Sequence, residues 1–79
     1  MKIVFADWAR KKFLKLDKPV QKQIQAFIIE LQGMQEPLSC GEALSGNLAR
    51  LLRYRVGECR LICMVKDDEI LITALHDSQ

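Results

Sequence analysis

The spacing of apolar residues changes twice in the first half of the chain. A short β-branched run from Lys2 to Phe5 predicts a first strand. Apolar residues then recur at helical spacing in two stretches, from Ala6 to Leu16 and from Asp17 to the helix-stopping Gly33. Asp17 is a candidate helix cap. The predicted core-facing residues are Trp8, Ala9, Phe13 and Leu16 in the first stretch, and Val20, Ile24, Phe27, Ile28 and Leu31 in the second.

The second half of the chain favours strands. Residues 34–46 are rich in Gly, Pro and Ser and predict a connecting loop. Three strand-like segments follow, and their short spacers predict an antiparallel meander that the first strand joins. We therefore expect one α+β domain spanning residues 1–79, in the order β-α-α-β-β-β, with two helices on one face of a small, mainly antiparallel sheet. The three predicted strands are Ala49–Val56, Cys59–Val65 and Ile70–Leu75.

Composition agrees with a small globular domain. Of the 79 residues, 49% are apolar and 28% charged. The sequence shows no signal peptide and no apolar run of membrane-spanning length, so we expect a cytoplasmic protein that does not enter a membrane. The cysteines Cys40, Cys59 and Cys63 fit no zinc-ligand pattern and are interpreted as small buried hydrophobic residues in a reducing compartment. No cofactor or metal is expected.

A basic stripe is the strongest functional signal. The net charge is only +2, but Arg50, Arg53, Arg55 and Arg60 lie close together along the chain. In the first of the three later strands, Leu52, Tyr54 and Val56 alternate with Leu51, Arg53 and Arg55. With the apolar set under the helices, the arginines stand on the open face, where Arg60 joins them across the hairpin. Guanidinium groups so placed form an anion site, although a solvated strand face is the competing interpretation.

Chemistry on RNA is one use of such an anion site. Cleavage of RNA by its own 2′-hydroxyl needs charge stabilisation at the phosphate, a base for the hydroxyl and an acid for the leaving oxygen. The arginines supply only the first. The single histidine, His76, is a candidate proton carrier, although a lone histidine near the end of a chain is more often simply exposed. The run Arg10-Lys11-Lys12 is interpreted as a solvated helix face, and Trp8 as helix-to-sheet packing.

The run Leu44-Ser45-Gly46-Asn47-Leu48, followed by Leu52 to Ile62 (LRYRVGECRLI), resembles the central signature of RelE-type toxins of the RelE/ParE superfamily. The resemblance spans nearly the whole chain. It implies the same fold, ribosome-dependent cleavage of messenger RNA and an acidic antitoxin as partner. It also implies that Arg60 contacts the scissile phosphate and that Arg53 shares in catalysis. Arg55 and Arg50 are then expected to bind RNA.

Three positions depart from that family pattern. Leu51 stands where a lysine is common, and Cys59 replaces an aromatic residue. The resemblance further implies a late arginine and a terminal tyrosine, neither of which occurs in Leu75–Gln79, so a weak nuclease is expected. Two alternatives therefore stay open: a ParE-like inhibitor of DNA gyrase, and a catalytically inactive relative that acts as a binding module.

Overall fold

The predicted α+β fold is confirmed, with one small strand added. The computed structural model describes residues 1–44 and 50–77. The extra strand has two residues and lies in the segment predicted to be a loop. Residues 45–48 of the family-like motif, and the predicted strand start at Ala49, lie outside the described residues. In chain order the elements are β1 (Lys2–Phe5), α1 (Asp7–Leu14), α2 (Lys18–Gln32), a 3₁₀ helix (Pro37–Cys40), β2 (Glu42–Ala43), β3 (Leu51–Val56), β4 (Cys59–Lys66) and β5 (Glu69–Asp77).

The strands form one sheet in the order β1-β5-β4-β3-β2. β1 pairs in parallel with β5, and the other neighbours pair antiparallel, which confirms that the first strand joins the meander. The β3–β4 and β4–β5 hairpins each turn through two residues. Gly57 and Asp67 take the positive φ angles (61° and 54°) that such tight turns favour. A Cβ atom at Gly57 would lie 2.8 Å from the Gln23 side chain, so this turn packs closely on α2.

The alternation seen in the sequence sets the two faces of the sheet. Tyr54 and Val56 of β3 are buried and Leu52 packs against the core, while Arg55 is exposed. The helices cover this buried face, and the described residues, 1–44 and 50–77, leave the opposite face open. The core residues below 2% exposure with the largest side chains are Tyr54, Ile24, Leu61, Ile70, Ile72 and Cys63.

A β-bulge in β5 places Trp8 where the sequence did not predict it. Ile62 pairs with Ala74 while Cys63 pairs with Ile72, so Thr73 has no partner in the β4 ladder. The Trp8 indole N–H donates a hydrogen bond to the Thr73 carbonyl. The indole therefore lies along the edge of β5 and is 66% exposed. The prediction that Trp8 packs in the core was wrong, whereas Ala9 and Phe13 of the same helix are buried.

Two smaller expectations also need correction. Asp17 occupies the cap position of α2, but its side chain makes no capping hydrogen bond. Gln21 instead donates from its amide to the Leu16 carbonyl at 2.8 Å. Cys59 and Cys63 are buried as expected, but Cys40 is exposed because the 3₁₀ helix that carries it lies at the surface. In residues 1–44 and 50–77, no helix is long and apolar enough to cross a membrane.

Candidate functional site: an arginine cleft on the open sheet face

The β3–β4 hairpin brings two arginines directly opposite each other. Arg55 pairs with Arg60, and Arg60 pairs on its other side with His76 of β5. All three residues are exposed. The row therefore crosses three neighbouring strands on the face that the helices leave open. Like charges opposed in this way destabilise a sheet, so the row is difficult to explain by stability alone.

A cleft of about 580 Å³ lies beside this row. We call it the arginine cleft. Its walls come from the end of the 3₁₀ helix, from β2 and from the β3–β4 hairpin. The residues that line it are Cys40, Gly41, Glu42, Arg53, Arg55 and Arg60.

Glu42 is the residue of the cleft that pairs with Arg53, and the sequence did not reveal it. It pairs with Arg53 across the β2–β3 ladder. The Arg53 Nε donates to Glu42 Oε1 at 3.0 Å, and the Arg53 Nη2 donates to the same oxygen. The carboxylate thus fixes the plane of one guanidinium group. In the part of the chain that the structure describes, neither Arg55 nor Arg60 forms an ion pair, so two guanidinium groups remain available to an anion.

A buried tyrosine holds β2 in place. The Tyr54 hydroxyl donates a hydrogen bond of 2.9 Å to the Pro37 carbonyl at the start of the 3₁₀ helix. At Gly41, a Cβ atom would lie 3.1 Å from the Tyr54 ring, so the chain crosses this ring closely. Tyr54 therefore anchors the segment that leads into Glu42. Burial raises the pKa of the Tyr54 hydroxyl to about 12, so it stays a proton donor at physiological pH.

The structure separates the predicted site residues into two groups. Arg53, Arg55 and Arg60 meet in the arginine cleft, and His76 extends their row. Arg50 does not line the cleft. It precedes β3 at the end far from the hairpin turn, where its carbonyl accepts a hydrogen bond from Val65. Within the described residues, no group of three or more His, Cys, Asp or Glu side chains is placed to hold a metal ion.

The whole architecture matches solved structures of toxin–antitoxin systems. A chain of the archaeal RelE–RelB complex from Pyrococcus horikoshii OT3 superposes with a TM-score of 0.75 at 22% identity, covering 98% of this chain and 93% of that one. A chain of the RelBE2 complex from Mycobacterium tuberculosis superposes with a TM-score of 0.68 at 26% identity, covering 96% of this chain and 95% of that one. This chain has the RelE fold. The isolated E. coli RelE toxin, with a TM-score of 0.72 at 17% identity, matches over 99% of this chain and 84% of its own.

These structures confirm the resemblance to the RelE/ParE superfamily that the LRYRVGECRLI run indicated. Neither a protein-family model nor a curated protein matches the chain. In this RelE fold, the run forms the β3–β4 hairpin that supplies the three arginines of the cleft.

Proposed function

We propose that this chain is the toxin of a toxin–antitoxin pair and that it cleaves messenger RNA on the ribosome. The observation that carries the proposal is the pairing of Arg55 with Arg60, both of which line the arginine cleft. Two guanidinium groups on adjacent strands, neither of them ion-paired within the described residues, match a phosphodiester, since each planar fork binds phosphate oxygens in two places.

Each residue of the row then has a role. Arg60 and Arg55 hold the scissile phosphate and stabilise the charge that develops on it when the 2′-hydroxyl attacks. Arg53 lies at the next position of the same face, where Glu42 orients its guanidinium group and offsets its charge. An arginine stays protonated and cannot carry a proton. The bond from the 2′-oxygen to phosphorus forms as the bond from phosphorus to the 5′-oxygen breaks. His76, beside Arg60, is proposed to accept the proton of the 2′-hydroxyl and to donate it to the leaving 5′-oxygen.

The proposed partners follow from the same surface. Two of the similar structures are complexes: one is a RelE–RelB complex, and the other is the toxin–antitoxin complex RelBE2. An acidic antitoxin would neutralise the arginine cleft of this chain and block its access to RNA. Because the proposed substrate is message on ribosomes, the proposed compartment is the cytoplasm.

The test is induced expression of the chain, followed by mapping of message ends and by a translation assay with purified ribosomes. Translation should stop, and new 5′ ends should appear within translated message. The Arg55→Ala/Arg60→Ala double variant should neither stop translation nor produce new 5′ ends. Intact message together with inhibited gyrase supercoiling would replace this proposal with the ParE-like alternative. Intact message with active gyrase and retained antitoxin binding would favour the inactive binding module.

A further inference from the structure

A second cationic surface lies outside the arginine cleft, on α1. Trp8, Lys11, Lys12 and Lys15 follow the helical spacing i, i+3, i+4, i+7, so they share one face. Together with Leu16 and Asp77 they line a depression of about 500 Å³. We call the four residues the tryptophan–lysine surface.

Trp8 is unusual because it is both exposed and fixed. Its indole N–H is already satisfied by the Thr73 carbonyl at the β-bulge, so the polar edge of the ring is not free for another partner. At 66% exposure, much of what remains accessible is apolar aromatic surface. Holding a large aromatic side chain in water has no benefit for the core, whereas a fixed exposed ring is a platform on which a flat ligand can stack.

The charges around the ring point to a polyanion. Three lysines face one carboxylate, Asp77, in the same depression. Exposed aromatic rings beside basic side chains are the pattern by which proteins bind single-stranded nucleic acid without sequence preference, since every base has a stacking face. An acidic peptide would use the lysines but would leave the ring without a planar partner.

The position of this surface relative to the arginine cleft supports RNA as its ligand. α1 packs on β5, and β1 ends its pairing with β5 at Ile72. The bulge residue Thr73 and the following residues of β5 therefore connect the α1 side of the sheet to the row of His76, Arg60 and Arg55. An RNA strand that left the cleft across His76 would pass this end of β5, beyond the last residue that pairs with β1, before it met α1 on the other face of the sheet.

We propose that the tryptophan–lysine surface binds single-stranded RNA by stacking a base on Trp8 and by pairing backbone phosphates with Lys11, Lys12 and Lys15. This binding goes beyond the proposed function, because it occurs at a separate surface and does not require cleavage.

The full chain carries its own probe, because Trp8 is its single tryptophan. Titration with an eight-nucleotide uridine or adenosine RNA at low salt should quench tryptophan fluorescence saturably, with less quenching by duplex RNA of equal length. Lys11→Ala/Lys15→Ala should weaken binding and lower the salt slope by about 1.4, since each phosphate contact on a single strand contributes about 0.7. The matched control is Lys18→Ala/Lys22→Ala, two exposed lysines of α2 at the same spacing, which should leave quenching unchanged.

Trp8→Leu should reduce RNA affinity by about tenfold in filter binding, while Trp8→Phe retains most of it, as expected for a stacked base. The proposal would be overturned if the Lys11/Lys15 and Lys18/Lys22 variants lost RNA binding equally. It would also be overturned if RNA did not quench the fluorescence, or if an acidic peptide quenched it and RNA did not. The Arg55→Ala/Arg60→Ala variant tests RNA binding at the tryptophan–lysine surface separately from the proposed cleavage at the arginine cleft. Quenching that survives there supports the second surface whether or not the wild-type chain cleaves RNA.

Discussion

Arg55 and Arg60 are direct cross-strand partners, and their like charges face each other on the open side of the sheet. Such opposed charges destabilise a strand pair by a few tenths of a kcal/mol to about 1 kcal/mol. An anion bound between the two guanidinium groups would neutralise this repulsion. We therefore expect such an unfavourable pair at a binding site for anions.

Replacing Arg60 should therefore separate function from stability. Arg60→Gln is expected to reduce affinity for RNA at least tenfold, because one of the two unpaired guanidinium groups is lost. The free energy of unfolding should change by less than about 1 kcal/mol, and in the stabilising direction, because the charge repulsion is relieved. Chemical denaturation and filter binding measure the two effects. Lys66→Gln removes a charge from the same strand outside the cleft and is the control. A large loss of stability with unchanged RNA affinity would show that Arg60 is structural.

Glu42 is predicted to restrain the site. Glu42→Gln removes the ion pair with Arg53 and one negative charge from the cleft. RNA affinity should rise about two- to fivefold, the range that an exposed ion pair of up to about 1 kcal/mol allows. The salt dependence of binding should also become steeper. Glu30→Gln, on the exposed face of α2, should change neither quantity. Weaker binding by Glu42→Gln would mean that orienting Arg53 matters more than the added negative charge.

His76 is predicted to carry the proton that the arginines cannot. His76→Gln should slow cleavage by about 10²- to 10⁴-fold, the usual contribution of general acid–base catalysis. The affinity of His76→Gln for RNA should differ from that of the wild-type chain by no more than about twofold. Slowed cleavage together with unchanged RNA binding distinguishes this role from a structural one. Unchanged cleavage by His76→Gln would assign proton transfer to another group.

The protein should lose stability in alkaline solution. Burial raises the pKa of Cys63 from its ordinary 9.0 to about 12, and Tyr54 shifts from 10.0 to about 12. The unfolded chain therefore releases these protons earlier than the folded one. Their contribution to stability is complete below about pH 9 and is lost as pH rises towards 12. Urea denaturation from pH 8 to 11 should show this decline, with a smaller slope in Cys63→Val. An unchanged slope would mean that other groups dominate.

Local patterns predicted most of this fold. Alternation along Leu51–Val56 determined which side chains face the helices, and the two-residue spacer at Gly57 placed Arg60 opposite Arg55. The sequence could not reveal Glu42. A two-residue strand is too short to show alternation, and its position depends on the distant contact between Tyr54 and Pro37.

Trp8 shows a second limit of sequence patterns. It lies one position before the buried Ala9, so helical spacing alone counts it with the core. Its true position depends on the bulge at Thr73, which leaves a carbonyl free to accept the indole N–H. A one-residue bulge in a strand 65 positions away leaves no periodic signal in the sequence of the helix.

The central claim is that the paired arginines of the cleft act on RNA. The most direct measurement is cleavage of message bound in purified ribosomes by the wild-type chain, by Arg55→Ala/Arg60→Ala and by Lys66→Gln. The account predicts defined cleavage products with the wild-type chain and with Lys66→Gln, and none with the double variant, although all three chains unfold with similar free energies. Equal cleavage by the double variant, or no cleavage by any of the chains, would contradict it.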